Sequence, residues 1–188
     1  MHHTDPLPRI ADGVMLRRLA LSDLAAFQAY RHDPVVGLYQ GWSATSDADA
    51  GSFLTEMSSV ELLKPGRWSQ IGIADSGSLA LVGDIGLFLA ADGRHAEIGF
   101  TLRQESQGKG LATIAVREAI ALVFEHTEAE EVRAITDARN APSIRLLERI
   151  GMLRTGSHTA LFRGELCIEH VYSLVLSQLI DSHCGYEQ

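Results

Sequence analysis

Polar and apolar positions alternate strictly over residues 96–103. Ala96, Ile98, Phe100 and Leu102 fall on one face and Glu97, Gly99, Thr101 and Arg103 on the other, the mark of a half-buried strand. The alternation stops at a polar turn over 104–107. A helical period then begins at Gly108-Lys109-Gly110-Leu111 and places Val116, Ala119, Ile120 and Val123 on one side as far as His126. Upstream, the pattern predicts a strand over 14–19 and a helix capped by Ser22 or Asp23 that carries Leu24, Phe27 and Tyr30 and ends before Asp33-Pro34. Residues 37–49 read as a loop with two exposed aromatics, Tyr39 and Trp42, and 48–63 as a second helix stopped by Lys64-Pro65-Gly66. Strands over 68–74, 79–89 and 96–103 follow, joined by turns at Gly77 and Asp92-Gly93.

Beyond the long helix, 132–137 reads as a short strand. Asn140 or Ala141 starts a helix with Pro142 in its first turn, Ile144, Leu147 and Ile150 inward, and Gly151 as its stop. Closing strands over 153–162 and 166–176 straddle Arg163-Gly164. Strand, crossover helix and strand imply parallel pairing. The expected fold is therefore α/β (α+β): a mixed, mostly antiparallel central sheet that ends in one parallel pair, with flanking helices. No repeat, linker or low-complexity tract divides the chain, so residues 1–188 form one domain, with 1–12 expected to be flexible.

Composition narrows the classes. The 188 residues are 46% hydrophobic and 21% charged with a net charge of −8, which is ordinary globular usage and offers no basic patch for nucleic acid or an anionic membrane. The acidity mildly favours a cationic partner such as an amine. No run is long and apolar enough to span a membrane, and 1–13 lack the apolar core of a signal peptide. Cys167 and Cys184 form neither a disulfide framework nor a metal spacing, and no histidine pair sits beside a carboxylate. A cytoplasmic protein without a metal site is expected.

The glycine turn carries the chemistry. A strand, a glycine-rich turn and a helix start aim unpaired backbone N–H groups at a phosphate, and the glycines let the main chain approach it closely. The spelling fits neither a P-loop, since Gly108-Lys109 is followed by Gly110 rather than a hydroxyl, nor the dinucleotide fingerprint, since no third glycine follows. Gln107-Gly108-Lys109-Gly110-Leu111-Ala112 instead matches Q/R-x-x-G-x-G/A at every specified position. Downstream, Asn140, Ser143, Ile144, Leu147 and Gly151 occupy the marked positions of N-x-x-S-I/V-x-x-L/Y-x-x-x-G-F, with Met152 in place of Phe. In these paired motifs the chain resembles the GNAT superfamily of acyl-CoA-dependent N-acyltransferases over residues 80–176. The Ala96-Glu97-Ile98-Gly99-Phe100 strand and the Leu146-Leu147-Glu148-Arg149-Ile150-Gly151 helix are most similar to the RimJ/RimL-type branch that acetylates ribosomal-protein N-termini.

The resemblance implies acetyl transfer from acetyl-CoA to a primary amine, a protein N-terminus or a small molecule, by direct attack. It places the pantetheine arm on the Phe100 and Leu102 backbone, between parallel strands that splay apart. The pyrophosphate falls on the stretch from Gly108 through Lys109, Gly110 and Ala112 to Thr113, with Gln107 also binding the cofactor and Asn140 and Ser143 touching it from the second strand. Glu97 is the candidate base, or else a structural carboxylate paired to Arg103. Ser143 is the candidate hydrogen-bond donor to the leaving thiolate, or else a capping or positioning group. Many relatives carry tyrosine as the thiolate acid where this chain has Leu147, so the usual acid is missing. That departure keeps open a catalytically weak acyl-CoA-binding sensor or assembly domain, and a nucleotide-binding module unrelated to CoA. Strand-rich C-termini in the superfamily often pair, so a homodimer is a further expectation.

Overall fold

The computed structural model describes residues 5–177. Strands β1 (Arg9–Ala11), β2 (Val14–Arg18), β3 (Trp68–Asp75), β4 (Leu81–Leu89), β5 (His95–Leu102), β6 (Glu131–Asp137), β7 (Leu153–Phe162) and β8 (Glu165–Val175) form one sheet. Its order is β1-β2-β3-β4-β5-β6-β8-β7. Helices α1 (Leu24–Arg31) and α2 (Asp47–Ser59) precede the meander; α3 (Leu111–His126) links β5 to β6, and α4 (Ala141–Arg149) follows β6. Every neighbouring pair is antiparallel except β5 and β6. The expected mixed sheet with one parallel pair is therefore present.

Two apolar clusters fix the layers. On one face, Leu16, Ile71, Ile73, Ile85, Leu87, Ala96, Ile98, Val132 and Ala134 meet Ala115, Val116, Ala119, Leu122 and Val123 of α3 and Leu146 and Leu147 of α4. On the other face, Leu19, Phe27, Tyr30, Val36, Leu54 and Met57 bring α1 and α2 onto Leu81. Burial of each large side chain contributes about 1.5–3 kcal/mol, which holds the sheet between two helix layers. Ala96, Ile98 and Leu102 of β5 are buried and Phe100 is half-buried, as the alternation predicts.

Several local expectations are corrected. Residues 9–11 of the stretch expected to be flexible form β1, with Ile10 opposite Met15; three residues between Pro8 and Asp12-Gly13 give no readable period. Residues 1–4 and Cys184 lie outside the described residues. Neither Ser22 nor Asp23 caps α1 with its side chain, because the Asp23 carboxylate is spent on Arg17 and on the Ala20 N–H. Helix α2 ends at Ser59, short of residue 63. Trp42 is half-buried, not exposed: it packs against the α1–α2 cluster, and the Arg31 guanidinium lies 4.3 Å from its ring centroid.

That guanidinium belongs to a buried polar cluster. Asp84, in the middle of β4, is 1% exposed and accepts Arg31 Nη2 at 2.9 Å and Gln70 Nε2 at 2.6 Å, as well as the Tyr30 hydroxyl. Burial, then the adjacent Asp84 charge, pushes the Tyr30 phenol well above its ordinary pKa. Removing one partner of a buried charge pair costs about 3–5 kcal/mol, because the remaining charge is left in a poor solvent. Arg31→Met should lower the unfolding free energy by about that much in urea titration. A loss below about 1 kcal/mol would show that two neutral donors satisfy the carboxylate.

Candidate active site

The site is built where β5 and β6 part. They pair only at His95–Glu131, Ala96–Val132 and Glu97–Arg133, after which both strands continue without each other. Ile98–Leu102 stays paired to β4 and Ala134–Asp137 to β8. The Arg103 N–H donates to Val82 O at 2.9 Å. By antiparallel alternation, Phe100 and Leu102 then turn their own N–H and C=O groups into the gap. Two side-chain amides cap the carbonyls there: Gln40 Nε2 on Phe100 O at 3.3 Å and Gln107 Nε2 on Leu102 O at 2.9 Å.

At the carboxyl end of β5 the chain turns through Gly108 (φ +73°) and Gly110 (φ +81°), left-handed values that glycine adopts at no cost. No heavy atom lies within 4 Å of where a Cβ on either would stand, so a ligand can approach this backbone. Gly110 is the N-cap of the 16-residue α3 with no side-chain cap, and no acidic residue lies in the first turn. The N–H groups of Leu111, Ala112 and Thr113 and the positive end of the helix therefore meet no internal anion.

Across the gap, Asn140 Oδ1 accepts the Ser143 N–H at 3.3 Å and caps α4. Capping thus falls to Asn140, and the half-buried Ser143 hydroxyl has no hydrogen-bond partner among the described residues. Leu147 is fully buried in the α3–α4 core, so its position faces packing and not the gap. Asp137 binds Arg139 through Nε at 2.9 Å and Nη2 at 2.7 Å, which holds its carboxyl below the usual range.

Glu97 lies on the α1–α2 face, opposite Phe88 on β4 and Arg133 on β6. Two residues on, Gly99 has nothing within 4 Å of a notional Cβ and pairs with Gly86, which leaves open floor beside the carboxylate. The Trp68 and Phe88 rings, 5.4 Å apart, edge that floor. Among the described residues Glu97 makes no ion pair or side-chain hydrogen bond, and Arg103 instead binds Ser106 Oγ at 2.8 Å. Burial raises the Glu97 pKa; His95 and Arg133 pull it down and Glu169 adds to the rise.

Residues 36–42 reach β5 through the Gln40 side chain. The Arg163 Nη2, at the β7–β8 turn, donates to the carbonyls of Gly37, Gln40 and Trp42 at 3.1, 3.3 and 3.2 Å, and Tyr39 lies 5.9 Å from the Arg139 guanidinium. Gln40, Arg163 and Trp68 escape sequence reasoning, because each acts on residues distant in the chain. Asp84 alone leaves a local signal, a carboxylate inside an apolar strand.

Residues 14–153 match the acetyltransferase (GNAT) domain, and the chain belongs to the GNAT acetyltransferase family. It is 26% identical over 142 residues to N-acetyltransferase p20 of Bacillus licheniformis, across 75% of this chain and 79% of that protein. Over 63 residues, 34% of each chain, it is 40% identical to YdaF of Bacillus subtilis, named as a ribosomal N-acetyltransferase. A GNAT-family acetyltransferase from Bacillus anthracis shares the fold with a TM-score of 0.80 at 22% identity, covering 90% of this chain and 98% of that one. The microcin C7 self-immunity acetyltransferase MccE, solved with acetyl-CoA and AMP, aligns with a TM-score of 0.75 at 17% identity over 88% of this chain and 94% of its own. Acetyl-CoA is the acyl donor of the family. Among the described residues no helix is long and apolar enough to cross a membrane, and no metal-binding cluster occurs.

The Glu97 environment has a measurable consequence for stability. A carboxyl whose pKa is raised by folding contributes stability in its protonated form, and that contribution is lost as pH rises through the folded pKa. At neutral pH the buried charge is therefore a cost. Glu97→Gln should raise Tm at pH 7–8, and the difference should shrink as pH falls toward the ordinary glutamate pKa of about 4.3. A lower Tm for the variant at neutral pH would mean that Glu97 is a structural ion-pair member.

Proposed function

We propose that the protein is an N-acetyltransferase that transfers the acetyl group of acetyl-CoA directly to a primary amine. The observation that carries this reading is the open edge of β5 running into an uncapped helix N-terminus. Carbonyls and N–H groups suited to an amide-bearing arm lead straight to N–H groups suited to a pyrophosphate. The Phe100 and Leu102 backbone would hold the arm. Gln107, Gly108, Lys109, Gly110, Ala112 and Thr113 would hold the pyrophosphate, with Asn140 and Ser143 on the opposite side. The donor supplies an acetyl carbon activated as a thioester, and the products are an amide, a thiol and the proton released by the amine.

Glu97 takes that proton, directly or through a water on the open floor at Gly99. Its lack of a fixed partner and its raised pKa keep it basic enough for the task. The Ser143 hydroxyl, in the first turn of α4, meets the departing sulfur's charge with help from the positive helix end. The likeness to YdaF favours a protein N-terminus as the acceptor, and the acetyl-CoA donor favours the cytoplasm, where acetyl-CoA is made and used. The buried Leu147, where relatives place a tyrosine, favours one second reading: a domain that binds acyl-CoA and turns it over poorly, as a sensor or assembly unit.

Coenzyme A should raise Tm by mass action on the native state. Gly110→Asp should abolish that shift, since it places a side chain and a negative charge at the phosphate turn; an undiminished shift would remove the phosphate assignment. In an acetyl-CoA turnover screen across peptide N-termini and small amines, Glu97→Gln should cut turnover by about 10²–10⁴-fold with donor affinity nearly unchanged. Wild-type kcat/KM should fall as pH drops through the raised Glu97 pKa, because only the carboxylate accepts a proton. Ser143→Ala should lower turnover by less, since water partly replaces a hydroxyl. Tight CoA binding without turnover on any amine would select the sensor reading.

A further inference from the structure

Gln40 stands in two places at once. Its backbone lies in the 36–42 segment, where Arg163 holds its carbonyl at 3.3 Å. Its side chain crosses to the donor edge, where Nε2 caps Phe100 O at 3.3 Å. That carbonyl is one of the groups left facing the gap by the parting of β5 and β6. An unpaired strand edge is a liability that proteins cover, and here the cover is a primary amide, the same chemical group that an extended amide-bearing arm would bring. We infer that Gln40 is a positioning residue shared by the two substrate sites: its amide is the internal stand-in for a donor amide and is displaced from Phe100 O when the donor pairs with β5. This rests on the donor assignment above.

Three observations give the exchange its direction. The Gln40 contact is longer than the 2.9–3.0 Å mode for N–H···O bonds, so a ladder-type donor at ordinary length outcompetes it. The surrounding main chain cannot follow the side chain. Arg163 also holds the carbonyls of Gly37 and Trp42, and Trp42 is stacked on Arg31, itself fixed to Asp84. Finally, the displaced amide remains beside Phe100, three residues along β5 from Glu97. Donor arrival therefore presents a free donor–acceptor group to the incoming amine substrate, and the acceptor site is completed only after the donor site is filled.

Coenzyme A itself is the probe, since it carries the whole amide-bearing arm. Isothermal titration should show CoA binding Gln40→Ala about two- to tenfold more tightly than wild type, the value of one net hydrogen bond no longer broken. Gln40→Met, which keeps the length and removes the amide, should tighten binding equally. In ¹⁵N spectra of the wild type, the Gln40 side-chain amide pair, identified by its loss in Gln40→Ala, should shift on saturation with CoA. Unchanged or weaker binding in both variants, or an amide pair indifferent to CoA, would overturn the inference. So would tightening in Gln40→Ala alone, which would reduce the effect to steric bulk. Failure of the wild type to bind CoA would overturn the donor assignment and the inference with it.

Discussion

The site depends on two parallel strands that stop pairing after three residue pairs. A β-strand fixes its N–H and C=O groups in space whether or not a partner is present, and each unmet group near a protein interior costs about as much as a lost hydrogen bond. Beyond Glu97 and Arg133 the strands part, while each keeps its pairing to its outer neighbour. Those outer pairings fix the positions of both strands and so the shape of the gap between them. What fills the slot must itself resemble a strand, and in the free protein the side-chain amides of Gln40 and Gln107 cover its two carbonyls.

Such an opening is stable because the two faces of the sheet are packed separately. α3 and α4 bury one face across both β5 and β6, so the strands are tied together by helices where they are not tied by hydrogen bonds. α1 and α2 pack chiefly over β2–β4 on the other face, where Gly99 and Ile135 stay exposed and Glu97 half-buried. The same asymmetry that lets a ligand reach the gap from one side keeps the core dry on the other. The buried Asp84 cluster joins β4 to α1 on that face. There it fixes Arg31, and through it Trp42.

The sequence disclosed what depends on local period and turn chemistry. The alternation over 96–103, the glycine pair and the 3.6-residue period of α3 placed β5, the glycine turn and the helix start, and of the two starts read for α4, Asn140 or Ala141, the structure makes Asn140 the cap. It could not disclose contacts made across the fold. Arg163 is a turn residue like any other until the hairpin brings it to carbonyls 121–126 positions away. Gln40 reads as loop polarity, and Trp42 as an exposed aromatic, because nothing near either residue names its partner. β1 was hidden for a different reason: three residues are too few to show a period of two.

Glu97 shows why the site is left incomplete. A carboxylate paired with an arginine in hydrogen-bonding contact has its pKa driven down, and it then holds a proton too weakly to take one from an amine. Arg133 stands opposite Glu97 in the sheet register, yet its guanidinium turns to Glu131 at 2.6 Å. Glu131 thereby spares Glu97 the ion pair that would disarm it. Burial remains the largest influence on Glu97 and raises its pKa against the pull of His95 and Arg133, while Gly99 keeps the adjacent floor open. A fold selected for stability alone would have filled the floor and paired the charge. Leaving both undone keeps the half-buried glutamate free of an ion-pair partner beside open floor, the state its proposed role as a base requires.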